Sequence, residues 1–200
     1  MRIPASYALF FLAVSAGATF AQQAPPTRIR GTIDTLDGRT LTVATPANGN
    51  VRLTLADATG INGLETRSAV DLRDNVFIGT TAVKNAAGRW QATEVHIFPE
   101  AMRGAGEGHY AWDLPESTMT NAAVTGTAAT TNGRTMRLKY ATGEVEVDVT
   151  PKTAIVGLTA GDRSLLVRGA TVFVLAVPQE GGALNAVAIV AETRGVKPPM

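Results

Sequence analysis

The chain repeats itself at a nearly constant interval, and this limits its folds more than any other feature. Gly31-Thr32 returns as Gly126-Thr127 and Asp37-Gly38-Arg39-Thr40 as Asn132-Gly133-Arg134-Thr135, both 95 residues later. Val51 returns as Val145, Thr59-Gly60-Ile61 as Thr153-Ala154-Ile155 and Ala92 as Ala186 at an offset of 94, while Val76-Phe77-Ile78 returns as Val172-Phe173-Val174 at 96. Ordered matches with a drifting offset are what small loop insertions leave behind in a duplicated unit. The units span residues 27–98 and 122–193, with a junction at 99–121 and a tail at 194–200 expected to be flexible.

Each unit reads as β. Glu144-Val145-Glu146-Val147-Asp148-Val149 alternates charge and valine, and Val51-Arg52-Leu53-Thr54-Leu55 does so more loosely, which is the period of a half-buried strand. Asp37-Gly38 and Asn132-Gly133 are tight-turn dipeptides between strand candidates, so each is expected to close a hairpin. The last strand of each unit falls near Trp90–Phe98 and Leu184–Glu192. Helical periodicity is weak everywhere, its best short stretches being Leu64–Leu72 and Arg103–Gly108. Five or six short strands in such a unit predict an all-β protein made of two tandem small OB-like β-barrels. Units this small have marginal cores alone, so one barrel is expected to pack on the other.

The N-terminus has the three regions of a secretory signal peptide: Arg2, the apolar run Tyr7–Val14, and small residues up to Ala21, after which cleavage is expected. Its apolar core is shorter than the roughly 20 residues of a spanning helix, and no other run approaches that length, so no transmembrane segment is expected after cleavage. The location implied is the periplasm or the exterior. Without Arg2, the remaining Lys and Arg equal the 17 Asp and Glu in number, which argues against nucleic acid as a partner. With no cysteine, disulfides, thiol catalysis and Cys-ligated metals are excluded.

In the second copy, Gly126, Thr153, Ile155, Gly161, Gly169, Val172, Val174, Gly182, Leu184, Ala186 and Ile189 form an ordered pattern. It resembles the small secreted β-barrel domains of unknown function that occur in tandem in bacterial envelope proteins. That resemblance implies fold and location and transfers no catalytic residue. The junction from Phe98 to His109, followed by Trp112-Asp113, is similar to exported proteins that carry an automatic metal-transporter label, although this chain has no helical bundle to transport through.

Chemistry is expected at the junction, where the copies differ most. His96 stands where the 94-residue offset places Val190, so the repeat does not need histidine there. His96, Glu100, Glu107, His109 and Asp113 are the candidate ligands of a first-row transition metal. Glu94 and His96 share a strand face, and the glycines at 104, 106 and 108 give the loop freedom to approach them. Tyr110 and Trp112 are a candidate ligand platform. The competing reading has His96 as a solvated strand residue, His109 bonding the loop to a barrel, and Tyr110 and Trp112 plugging the interface between units. No Gly-x-Ser-x-Gly elbow or His-Glu-x-x-His motif is present. The leading expectation is an exported, non-enzymatic envelope protein that binds an envelope protein or small ligand, or acts as a scaffold, through its junction. The rivals are a periplasmic metal-handling protein and a carbohydrate-active enzyme.

Overall fold

The computed structural model describes residues 26–199. The expected signal segment, residues 1–21, lies outside them. Twelve strands follow one another: β1 (Thr27–Asp37), β2 (Thr40–Thr45), β3 (Gly49–Thr66), β4 (Phe77–Lys84), β5 (Trp90–Ile97), β6 (Gly108–Ala111), β7 (Ser117–Thr130), β8 (Gly133–Tyr140), β9 (Gly143–Val149), β10 (Ala154–Ala160), β11 (Thr171–Pro178) and β12 (Leu184–Ala191). Short 3-10 turns are the only helical elements among the described residues, so the protein is all-β as expected. The alternation in β9 works as read, since Val147 and Val149 are buried and Glu144 and Glu146 are exposed.

Both expected hairpins form, but with different turns. Asp37 pairs with Thr40 around Gly38-Arg39, with Gly38 at φ +54°. In the second hairpin Thr130 pairs with Gly133, so the turn is Thr131-Asn132 and Gly133 opens β8. Gly133 is required for another reason. It sits at φ +126°, and a Cβ there would lie 2.0 Å from the Val149 carbonyl oxygen.

A closed five-stranded barrel is formed by β1, β2, β3, β12 and β11 in ring order, with β1–β2, β2–β3, β11–β12 and β1–β11 antiparallel and β3–β12 parallel. Ile33, Leu41, Val43, Leu55, Val174 and Ile189 fill it. A second group, β5, β4, β7, β8 and β9, curls around Ile78, Val95, Ala122, Met136, Leu138 and Val147. Its two end strands meet at one register pair, Gln91 with Asp148.

Barrel membership therefore departs from the contiguous units 27–98 and 122–193. The first ring takes β11 and β12 from the far end of the chain, and the second group takes β4 and β5 from the first half. The physical cause is a pair of crossing strands. The end of β3 runs antiparallel to β10, with Leu64 opposite Leu158, and each carries the chain away from the ring it has just built. Thr59 and Thr153 fix the two departures. Thr59 Oγ1 donates to the Ala186 carbonyl (2.8 Å) and accepts from Ala56 N–H (2.9 Å); Thr153 Oγ1 donates to the Ala92 carbonyl (3.0 Å) and accepts from Thr150 N–H (3.0 Å). Each Thr-x-Ile element thus ties its crossing to a strand from the other half of the chain.

The registers also revise the Val-Phe match at 96. The β4–β5 pairing slips between Thr81 and Ala82, and the β11–β12 pairing slips between Leu175 and Ala176, 94 residues on. Gly79 opposite His96 corresponds in this way to Phe173 opposite Val190. Near the C-terminal end Thr193 and Val196 exchange backbone hydrogen bonds of 3.1 and 3.0 Å, and Val196 packs against a third buried cluster that holds Leu64, Leu158 and Phe173.

Candidate functional site

That third cluster is the seam between the closed barrel and the second strand group, and the junction closes over it. The bulge between Thr81 and Ala82 decides which β5 side chains reach the seam. Ala92 and Val95 point into the core of the second strand group, so Glu94, His96 and Phe98 fall on its outer face. They are nonetheless covered: Glu94 is 2% and His96 4% exposed. The Glu94 carboxylate accepts from Thr81 Oγ1 at 2.8 Å and faces His96 Nδ1 at 3.4 Å.

Strand β7 supplies the next polar group. Gly79 on β4 pairs with His96 on one side and Asn121 on the other. A Cβ on Gly79 would stand 2.0 Å from His96 Nε2 and 2.5 Å from Asn121 Oδ1, so glycine lets both polar groups lie flat over this backbone position. Asn121 Nδ2 donates to the Ala105 carbonyl (3.1 Å), while its Oδ1 is buried and has no partner among the described residues.

The polar corner opens into a cavity of about 250 Å³. Phe98, Met102, Met119, Phe173, Leu175 and Val190 supply much of its apolar lining, and Tyr110 and Trp112 stand on the junction side. The glycines at 104, 106 and 108, all at positive φ, fold the loop onto Asn121; a Cβ on Gly106 would meet Asn121 Nδ2 at 2.9 Å. The strap is then latched to the first barrel. The Arg28 guanidinium lies 3.8 Å above the Trp112 ring, Arg30 stands over Phe173, and Arg30 pairs with Asp113. Burial raises the Tyr110 phenol above its ordinary pKa, opposed by nearby Arg28.

The five expected metal ligands are not gathered. Successive residues of β7 face opposite ways, so Asn121 serves the seam while Thr120 faces the core of the second strand group and holds His109 by a 2.8 Å contact from Nδ1 to Oγ1. The His109 ring stacks on Tyr140 and meets Trp90 edge-on, and burial lowers its pKa. His96 and His109 thus lie on opposite faces of one sheet. Glu100 is paired with Arg103, whose hydrogen bond holds the carboxyl below its usual range; Glu107 is exposed; Asp113 is engaged by Arg30. Among the described residues no three His, Cys, Asp or Glu side chains converge as a metal site.

Of the expected residues, the seam brings together His96, Tyr110 and Trp112. His96 is a buried residue and not a solvated one. Sequence reasoning missed Gly79, Thr81, Met119 and Asn121. Their signal was available for two of them, because the 94-residue offset sets Gly79 against Phe173 and Thr81 against Leu175. Comparison with protein-family models, curated proteins and solved structures finds no match for this chain.

Proposed function

We propose that this chain is an exported, non-enzymatic binding module of the bacterial envelope, and that it holds a small molecule in the seam cavity. In this reading a duplicated OB-like unit has exchanged its last two strands with its copy. The ring order of the closed barrel supports that origin: counting β11 and β12 as fourth and fifth, it runs 1-2-3-5-4 with strands 3 and 5 parallel, as in OB barrels. The exchange gives the seam walls from both halves of the chain, with the junction as its cover.

The observation that carries the ligand reading is Asn121 Oδ1. A buried acceptor left unpaired costs about 1–3 kcal/mol, so folded proteins rarely keep one without a use. Asn121 is among the residues that line a cavity whose walls are largely apolar, the usual make-up of a small-molecule site. An apolar cavity of roughly 150 Å³ admits benzene, so the space here suits a body of one or two rings.

The test is a screen of small cyclic compounds by amide and indole NMR of the purified protein. Binding is expected to shift the Trp112 Nε1–H and Asn121 side-chain signals first. Ala188→Leu, which fills the cavity from β12, is expected to abolish those shifts while leaving the fold intact. Shifts that persist in Ala188→Leu, or that scatter over the surface, would overturn the reading. A metal-handling role would instead appear as Zn2+ or Cu2+ perturbing the His96 ring signals.

A further inference from the structure

From the chemistry of the polar corner we infer that the ligand is a neutral one- or two-ring molecule that brings an N–H or O–H donor to Asn121 Oδ1 and His96 Nε2. The inference rests on the seam cavity being a binding site and adds what that site selects. The amide orientation follows from its other end: Nδ2 donates to the Ala105 carbonyl, and the reverse orientation would set two acceptors against each other. Oδ1 is then the end left without a partner.

The imidazole points the same way. Its Nδ1 faces the Glu94 carboxylate, which already accepts from Thr81, so the proton of a neutral ring belongs on Nδ1 and Nε2 presents a lone pair. Both acceptors converge over Gly79, the one residue type that leaves them room. Two acceptors held this close to one another repel unless a donor reaches both. Beyond that corner Phe98, Met119, Phe173 and Leu175 offer apolar contact, and Asn62, Tyr110 and Trp112 add polar groups to the lining, so the body of the molecule is mainly apolar. A ligand of the same shape whose heteroatom only accepts leaves the corner unpaired, the situation in which polar sites discriminate most strongly.

Indole and benzofuran are the probes, since they share a bicyclic shape and differ in N–H against ring oxygen. Titrations followed by the Trp112 Nε1–H signal are expected to give indole at least about tenfold tighter binding than benzofuran, the ratio that one satisfied buried acceptor supplies. In Asn121→Leu the preference is expected to vanish or reverse. Equal binding of the two probes by the natural protein would overturn the donor inference while leaving the cavity as a site, the result expected if water satisfies the corner. Binding of neither probe would overturn the donor inference too, because indole carries the required donor on a body the cavity admits; the wider screen, read with Ala188→Leu, then decides the cavity separately. The comparison of the two probes needs no variant, so a misfolded Asn121→Leu does not blunt it.

Discussion

Two walls face each other across the seam, built from strands at the same register and made of opposite chemistry. On β4 and β5, Gly79 pairs with His96 and Thr81 with Glu94; 94 residues on, β11 and β12 pair Phe173 with Val190 and Leu175 with Ala188. The second set shows what this position of the sheet accepts when nothing beyond packing is asked of it. Phe173 and Leu175 fill space with carbon, whereas Gly79 gives up its side chain so that an imidazole and an amide can lie over the backbone. Burying Glu94, His96 and Asn121 costs desolvation that the apolar wall avoids. A polar wall kept at that cost, opposite an apolar one and around a cavity, is the contrast on which the proposed binding role rests.

The largest effect is expected from giving the polar wall a side chain at its glycine. Gly79→Ala places a Cβ against His96 and Asn121 atoms held by their own hydrogen bonds, and a loss of about 3 kcal/mol is expected, read from urea unfolding. Next comes the contrast between breaking the polar set and replacing it. Glu94→Ala leaves the Thr81 hydroxyl and His96 Nδ1 without their partner and is expected to cost about 2 kcal/mol. The triple change Thr81→Leu, Glu94→Ala and His96→Val copies the opposite wall and is expected to cost less than Glu94→Ala alone, about 1 kcal/mol. If the triple variant is the less stable of the two, the polar set is structural and the comparison loses its meaning.

A smaller effect separates the two histidines. Burial disfavours the imidazolium of His109, so its folded-state pKa lies below the unfolded value of about 6.5. The unfolded chain then takes up the proton first. The associated stability is fully present above about pH 6.5 and is lost as pH falls from there through the lowered folded value. His109→Phe is expected to flatten the change in urea midpoint between pH 7 and pH 5, and an unchanged slope would assign it to other groups. The smallest effect concerns how the closed ring and the second strand group differ at their closing pairs. Arg89 grips Asp148 through Nε (2.7 Å) and Nη2 (2.6 Å) beside the lone Gln91–Asp148 pair, whereas β3 and β12 pair over several residues. Arg89→Ala is expected to speed hydrogen exchange near Gln91 without a resolvable change in global stability, leaving exchange in the first ring untouched.

Much of the local structure was legible because local patterns carry it. The valine alternation of β9 placed its buried face, and the offset between His96 and Val190 marked the wall where the copies part. The Thr-x-Ile elements were visible as a recurrence, but their role depends on Ala186 and Ala92, which stand 127 and 61 residues from the threonines they accept from. The metal expectation did not materialise as a cluster because strand parity is a property of the folded sheet. A bulge at Thr93 set the face of His96, and pairing with Thr120 set the opposite face for His109. Asn121 was invisible for the same reason, being an ordinary residue in a strand until a glycine, a loop carbonyl and the other barrel surround it.

The sequence by itself determined that this is a β protein, because side-chain alternation and turn chemistry act over a few residues. Only the tertiary structure decided which strands share a ring. Alternation along a strand sets which face is buried and does not say whose edge it will join. The crossing of β3 and β10 made that choice, and with it placed an apolar wall from one half of the chain against a polar wall from the other.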